Sequence, residues 1–386
     1  MSIQSIIIAI LAIITFGTFA NGVYIFNDFN EFAKTTEKRK SKVESIITAK
    51  QETQPIVIQT TKAKQETTNV QTTTQTETTT KEEIKTIKLS FLGDCTIATN
   101  KNQNYKNSME NCLQTYPSTY FLEKCAPYIT EDDFTIANCE NVFTPQGTKA
   151  IGKNHSPAFW FRTDPVHANV FSNSSVDAVS IANNHTNDYG TIGYENTKKA
   201  LTDVGLQYGE DNSPIILEKD GIRIAIICVT FWNEWYVDQI IQQIQQASES
   251  TDLQIVFFHG GKEGKHAPES WKVKGCRKFV DAGADLVVGE HPHVLQPYEE
   301  YNGVSIIYSI GNFCFGGNRS PENRTIIYQQ TFQLNEEKKL INTQEGIIPF
   351  YVFTGTTNNW QPAPIEDEAE KQKVLDFIYQ KSNRLF

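Results

Sequence analysis

The stretch Ala178-Val179-Ser180-Ile181-Ala182, which runs directly into Asn183-Asn184-His185-Thr186-Asn187-Asp188-Tyr189-Gly190, sets the terms for the whole chain. Its first five residues are small or β-branched and uncharged, and they read as a short buried strand. The next eight are polar and turn-forming, and residues 194–204 then read as a helix. Taken alone, 183–190 is either an Asx turn leading into a helix cap or an amide–imidazole pair that a metal ion and an anionic substrate can share.

The same order of strand, polar loop and helix recurs along the chain. Strand-like runs at 87–92, 134–137, 177–182, 222–229, 253–258, 284–288 and 305–310 are joined by helical candidates at 194–204, 237–248 and 271–282. This alternation predicts an α/β body with buried strands, whose ligand crevice lies beyond the C-terminal ends of those strands. Metal-competent side chains fall at those ends: Asp94 after the first run, Asn138 and Glu140 after the second, Asn184 and His185 after the third. His259 follows the fifth run, and His291 and His293 the sixth. One shared metal centre explains that placement. Carboxylate, amide and imidazole together suit Mn, Fe or Zn better than calcium. If one carboxylate bridges, two ions about 3.5–4 Å apart can activate a water and clamp a phosphoryl oxygen.

Composition narrows the partners. The 386 residues carry 35 Lys and Arg against 45 Asp and Glu. Residues 28–88 hold 11 of the basic and 9 of the acidic groups, which leaves 24 and 36 from Leu89 onward. So acidic a body is a poor partner for nucleic acid, whose binding surfaces are basic, and a natural host for a cation. From 6 to 26 no residue is charged, and the density of Ile, Leu, Ala and Phe reads as a transmembrane helix of about 20 residues. A cleaved signal peptide ending at Thr18-Phe19-Ala20 is the alternative, but no Lys or Arg precedes the run and it exceeds a signal core in length. Residues 1–27 are therefore read as an anchor in a lipid bilayer and 28–86 as a flexible linker. The Thr/Gln-rich part of that linker, at 60–80, is too poor in apolar groups to pack. Lys34, Lys38, Arg39, Lys40 and Lys42 argue for a cytoplasmic body; the stalk argues for an extracellular one, which is the expectation. Seven cysteines without a CxxC spacing leave at least one thiol free.

Six blocks now stand in order: Gly93-Asp94; Asn138-Cys139-Glu140; Ala182-Asn183-Asn184-His185 with Asp188-Tyr189-Gly190; His259-Gly260-Gly261-Lys262-Glu263; Gly289-Glu290-His291-Pro292-His293; and Tyr308-Ser309-Ile310-Gly311-Asn312-Phe313. Together they resemble the capsule-synthesis CapA family, also called the poly-gamma-glutamate synthesis family, which is similar to the calcineurin-like metallophosphoesterases. The resemblance covers 87–335 and leaves 336–386 as a C-terminal extension packed on the domain. It implies a four-layer α/β/β/α metallophosphoesterase-like sandwich with one or two divalent transition metal ions at one rim. By carry-over the ligands are Asp94, Glu140, Asn184, His259, His291 and His293, and His185 is the general acid beside the leaving group. Arg162, in a matching Phe159-Trp160-Phe161-Arg162 segment, either pins a phosphate or carboxylate or covers aromatic surface. Glu263 orients a ligand, binds an amine, or is an exposed loop carboxylate.

Three positions depart from the pattern. Thr96 stands where the phosphoesterases' Asp-x-His motif supplies an imidazole. Gly260 stands where a Trp is usual, a change expected to widen the crevice. Glu290 replaces a basic or polar residue and is a ligand, a partner orienting an imidazole, or a solvated group. Two functional classes follow. One is a membrane-anchored hydrolase of phosphoesters or related bonds, in which His185 protonates the leaving oxygen. The other is a component that binds, exports or anchors an anionic polymer such as poly-gamma-glutamate, alongside other capsule-synthesis membrane proteins, with a structural metal.

Overall fold

The computed structural model describes residues 83–100, 106–151, 153, 158–316 and 323–380. The expected membrane anchor at 1–27 and nearly all of the linker lie outside the described residues. Among the described residues no helix is long and apolar enough to cross a membrane.

The chain lays down β1 (Lys85–Cys95), α1 (Met109–Thr115), β2 (Phe134–Cys139), β3 (Val142–Phe143), β4 (Arg162–Thr163), β5 (Ala178–Ser180), α2 (Gly190–Asp203), β6 (Gln207–Gly209), β7 (Ile215–Lys219) and β8 (Ile222–Thr230). It continues through α3 (Val237–Ser248), β9 (Leu253–His259), α4 (Ser270–Asp281), β10 (Leu286–Glu290), β11 (Leu295–Tyr301), β12 (Val304–Ile310), β13 (Arg324–Leu334), β14 (Leu340–Tyr351), β15 (Ala363–Pro364) and α5 (Glu368–Ile378). One sheet has the order β15-β14-β13-β1-β2-β5-β6 and the other β11-β12-β10-β9-β8-β7, while β3 pairs only with β4. Strands β1, β2, β5 and β6 run parallel, as do β8, β9, β10 and β12. The remaining members of each sheet join antiparallel at its edges.

Side-chain alternation explains how the sheets stack. Ile87, Leu89 and Phe91 of β1 share one core with Ile222, Ile224 and Ile226 of β8 and Leu253, Ile255 and Phe257 of β9. The rings of Phe91 and Phe257 meet across it at 5.4 Å between centroids. Leu92 and Cys95, on the opposite face of β1, pack with Met109 of α1 and Leu201 of α2. On the second sheet, Ala225, Ile227, Val256 and Phe258 turn outward onto Val237, Ile240 and Ile244 of α3 and Phe279 and Val280 of α4. Each sheet is thus covered on both faces, inside by the other sheet and outside by helices, which is why its central strands read as near-continuous hydrophobic runs. The body is the expected α/β sandwich of two sheets. Beyond 335 the chain supplies β14, paired along β13, and α5, whose Val374, Phe377 and Ile378 enter the core between the sheets.

The parallel strands of both sheets end at one rim, and a close approach locks that rim. A Cβ at Gly93 would overlap the carbonyl oxygen of Gly311. With no side chain there, the Asp94 N–H donates to that oxygen at 3.1 Å, and the Phe313 N–H donates back to the Asp94 carbonyl at 2.8 Å.

Candidate metal centre

The rim carries the polar residues of the six blocks. Asp94 sits at an irregularity near the end of β1, where the register with β2 shifts between Leu92 and Asp94. Glu140 directly follows β2, His259 closes β9, and Glu290 closes β10 ahead of His291 and His293. The two histidines hold φ values of 91° and 59°. A left-handed backbone is costly for residues with a Cβ and persists where the surroundings over-determine it; here it accompanies two imidazoles packed into one buried cluster.

Glu140 is at the middle of that cluster. It is fully buried, and neither of its carboxylate oxygens has a hydrogen-bond partner. Its Oε1 nevertheless faces three imidazole nitrogens: His259 Nε2 at 3.7 Å, His185 Nε2 at 3.8 Å and His293 Nε2 at 3.9 Å. His259 Nε2 in turn lies 2.8 Å from Asn184 Oδ1 and 3.0 Å from His291 Nδ1, with at most one proton to share between them. Asp94 Oδ2 accepts from His293 Nδ1 at 3.0 Å and from the His291 N–H at 3.3 Å. Asp94 Oδ1 accepts from Asn138 Nδ2 at 2.7 Å.

Burial and charge shift these groups in opposite directions. Burial works against the Asp94 charge, yet the hydrogen bonds from His259 and His293 hold its carboxyl well below the usual range. Burial pushes Glu140 well up, with the Asp94 charge adding to the effect. For His293, burial opposes protonation but the charge of Glu140 and the bond to Asp94 prevail, raising it to about 10. Burial lowers His259, and lowers His291 further with the help of its histidine neighbours.

This donor set fits a divalent cation. Ligand atoms of Glu140, His259 and His291 lie within 4.8 Å of one another, as do those of Asp94, Glu140 and His293, and of Glu263, His291 and His293. An orphaned buried carboxylate ringed by imidazole nitrogens is the arrangement a positive ion satisfies, and a native core otherwise rarely tolerates it. The shared residues link the three sets into one cluster.

His185 stands beside this cluster. Its Nδ1 lies 2.7 Å from Asp188 Oδ2, and Lys153 Nζ reaches Nδ1 at 3.2 Å and Asp188 Oδ1 at 2.5 Å. Burial lowers its pKa to about 4 against the pull of Asp188. At neutral pH the ring is therefore uncharged, donates from Nδ1 to Asp188 and leaves the Nε2 lone pair facing the centre.

The structure brings Asp94, Glu140, Asn184, His185, His259, His291, His293 and the exposed Glu263 together, whereas Arg162 looks elsewhere. Its guanidinium lies 4.3 Å over the Tyr189 ring and donates to the carbonyls of Gln146 and Gly147. Thr96 is buried and its hydroxyl contacts the Glu140 carbonyl at 3.5 Å. The widening expected at Gly260 is absent, because the space of a Cβ there is filled by the Phe231 carbonyl. The chain at 231–232 instead brings Trp232 against His291 and His259, at 4.8 and 5.9 Å between ring centroids. Glu290 is not solvated. It is buried with both oxygens unpartnered, and burial followed by the charge of Asp94 pushes its pKa well up.

Four supporting residues stand outside the expected ligand set. Asn138 also reaches His259 Nδ1, at 3.1 Å. Asn183 Nδ2 donates to Asn138 Oδ1 and the Cys139 carbonyl at 3.1 and 2.8 Å, while its Oδ1 accepts the His185 N–H at 3.0 Å. Asp188 orients His185, and Asn312 accepts from His293 Nδ1 at 2.8 Å. All four lie inside the quoted blocks. Amides and carboxylates beside ligands are the available signal, but the same residue types build turns. All seven cysteines are free and buried.

Known proteins match along this span. A family model described as bacterial capsule synthesis protein PGA_cap matches residues 88–317, which contain every member of the cluster. The PGA biosynthesis protein CapA of Bacillus subtilis (strain 168) is 29% identical over 276 residues, covering 64% of this chain and 68% of that protein. The capsule biosynthesis protein CapA of Bacillus anthracis is 26% identical over 297 residues, covering 69% and 68%. A hypothetical protein from Thermus thermophilus, solved by crystallography, aligns with a TM-score of 0.42 at 14% identity, covering 68% of this chain and 99% of that one. With more than half of its length matched by the family model, this chain belongs to the bacterial capsule synthesis protein PGA_cap family.

Proposed function

We propose that this protein is a metal-dependent hydrolase of metallophosphoesterase-like plan, tethered to a membrane by residues 1–27 with its body outside the cell. It would work in the synthesis or export of a capsule-type anionic polymer such as poly-gamma-glutamate. The observation that carries the hydrolytic part is Glu140: a fully buried carboxylate without a hydrogen-bond donor, facing three imidazole nitrogens at 3.7–3.9 Å. The names of the two Bacillus relatives, PGA biosynthesis and capsule biosynthesis, support the polymer setting.

Asp94, Glu140, Asn184, His259, His291 and His293 would hold one or two ions of the Mn, Fe or Zn type. Such an ion supplies a Lewis acid that polarises a phosphoryl or carbonyl oxygen and lowers the pKa of water. The chain's own residues do the rest. His185, neutral and oriented by Asp188, accepts a proton at Nε2 from the attacking side and returns it to the leaving atom. Lys153 stabilises the Asp188 charge on which that orientation depends. Glu263, at the exposed mouth, is placed to meet a polar or amine group of the substrate.

Because the relatives are named for synthesis, a second reading has the centre grip the polymer without cutting it. Metal content of the purified full-length chain, followed by assays on phosphomonoesters, phosphodiesters and γ-linked oligoglutamate, separates the two. Bound transition metal with hydrolysis lost in Asp94→Ala and His185→Ala supports the enzyme. Metal without turnover, but with oligoglutamate retained, supports the gripping role. A chain that takes up no transition metal defeats both. Protease added to intact cells should release the body if it faces outward.

A further inference from the structure

Phe161 forms part of a thin wall beside the centre. Its ring lies 4.6 Å from that of His185, its N–H donates to Asp188 Oδ2 at 2.7 Å, and its backbone bridges to Asn100. The next residue, Arg162, turns the other way, as alternation requires, and helps line a cavity of about 460 Å³ together with Asn100, Glu110, Thr144, Asp164 and His167.

The polar groups of this cavity are only half used. Asn100 is 6% exposed, yet its Oδ1 has no donor, a state native structures rarely leave unanswered. Glu110 Oε1 takes the Thr99 N–H at 2.9 Å and Asp164 Oδ1 the Val166 N–H at 3.0 Å. The second oxygen of each has no protein donor among the described residues. Arg162 spends Nη1 on two carbonyls, which leaves the Nε and Nη2 edge of its fork without a protein acceptor among the described residues. Half-buried His167 is lowered by burial against Asp164 and Glu110, so at neutral pH it offers one donor and one acceptor.

Acceptors that want N–H donors thus share a cavity with a guanidinium that wants an anion. A bare phosphate would meet two carboxylates, and a simple cation would leave Arg162 unanswered. We propose that this cavity is a binding site separate from the metal centre for a zwitterionic amino-acid group, with its carboxylate on Arg162 and its ammonium among Asn100 Oδ1, Glu110 and Asp164. Two sources present that chemistry: a free amino acid, and the amino end of a peptide-like chain. The second source rests on the polymer function proposed above; the site itself does not.

Calorimetric titration of the full-length chain with L-glutamate, γ-glutamylglutamate, the N-acetylated form of each, and inorganic phosphate tests the site. At least one unblocked compound should saturate it below about 10 mM, with N-acetylation abolishing binding and phosphate failing to compete. Preference for the dipeptide identifies a chain end as the source, and equal binding shows that the amino-acid group suffices. Arg162→Gln and Asn100→Leu should each weaken binding at least about tenfold. If Asn100→Leu fails to fold, Arg162→Gln, at a partly exposed position, carries the test with an unchanged melting temperature as its control. Asp94→Ala should lose metal and keep this binding, so the site and the metal reading fail separately. The proposal is overturned if no unblocked compound saturates, if the acetylated forms bind equally well, or if folded Arg162→Gln binds like wild type.

Discussion

Titrating manganese into the metal-free chain at pH 8 should drive out a proton that an ordinary histidine would already have lost. His293 is held up to about 10 by the charges of Glu140 and Asp94, and Glu140 is itself raised. His293 Nε2 and Glu140 Oε1 lie 3.9 Å apart, too far for a hydrogen bond but close enough for each charge to act on the other, and both must be bare to become ligands. From pH 7 to a pKa of about 10 is roughly 3 units, or about 4 kcal/mol. That lowers the apparent affinity at pH 7 by about 10³-fold and restores it by about a decade per pH unit up to pH 9. An unperturbed imidazole, at about 6.5, would show no such slope above pH 7.5. Calorimetry at pH 8 in two buffers of different ionisation enthalpy counts the protons, and about one per ion is expected. Glu140→Gln removes the leading charge that holds the proton, so the count should fall toward zero. Affinity flat above pH 7, with no proton released, would refute the pairing of Glu140 with His293. With its folded pKa raised, His293 stabilises the metal-free chain fully below about pH 6.5 and loses that contribution as pH rises through about 10.

Three further outcomes are expected. His185→Ala should lower turnover of a hydrolysed substrate by about 10²–10⁴-fold while leaving metal content unchanged, a combination that steady-state kinetics and elemental analysis resolve. Gly93→Ala should cost about 3 kcal/mol, the upper end for an overpacked site, read from denaturant unfolding, because its Cβ collides with the Gly311 carbonyl. Phe91→Ala, which empties the space opposite Phe257 between the sheets, should cost about 3–5 kcal/mol in the same assay; a loss under 1 kcal/mol would mean that the two sheets repack freely.

The parallel strands β1, β2, β5, β8, β9, β10 and β12 were legible because burial on both faces makes them continuous apolar runs. Among the strands that escaped notice, β3 and β4 have only two residues each, and β6, β7, β11 and β15 are the four that end the two large sheets. An edge strand is only half covered and mixes polar residues into its run; β11 even carries Pro297, which such an edge tolerates. The candidate ligands were readable for a related reason. A strand's end marks the crevice, so Asp94, Glu140, His259 and His291 announced themselves by position. Asn183, Asp188 and Asn312 did not, since amides and carboxylates that aim an imidazole look in sequence like those that cap a turn. Arg162 was visible as a residue but not as a direction: β4 has two residues, and which way each faces is set by its pairing with β3. The contact between Gly260 and the Phe231 backbone joins segments on different strands, which no local pattern encodes.

Asp94, Glu140 and Asn184 lie at or just past strand ends of one sheet, and His259, His291 and His293 at or just past strand ends of the other. An ion held among them would act as a rivet through both layers. Apolar packing has no direction and tolerates slippage, whereas coordination fixes distance and angle. The sandwich would then be clamped at the rim where Asp94 lies and held mainly by side-chain packing at the far rim, near Lys85 and Leu334. Metal occupancy would set the mechanical grain of the protein, and heat or force would part its layers from the unriveted end first.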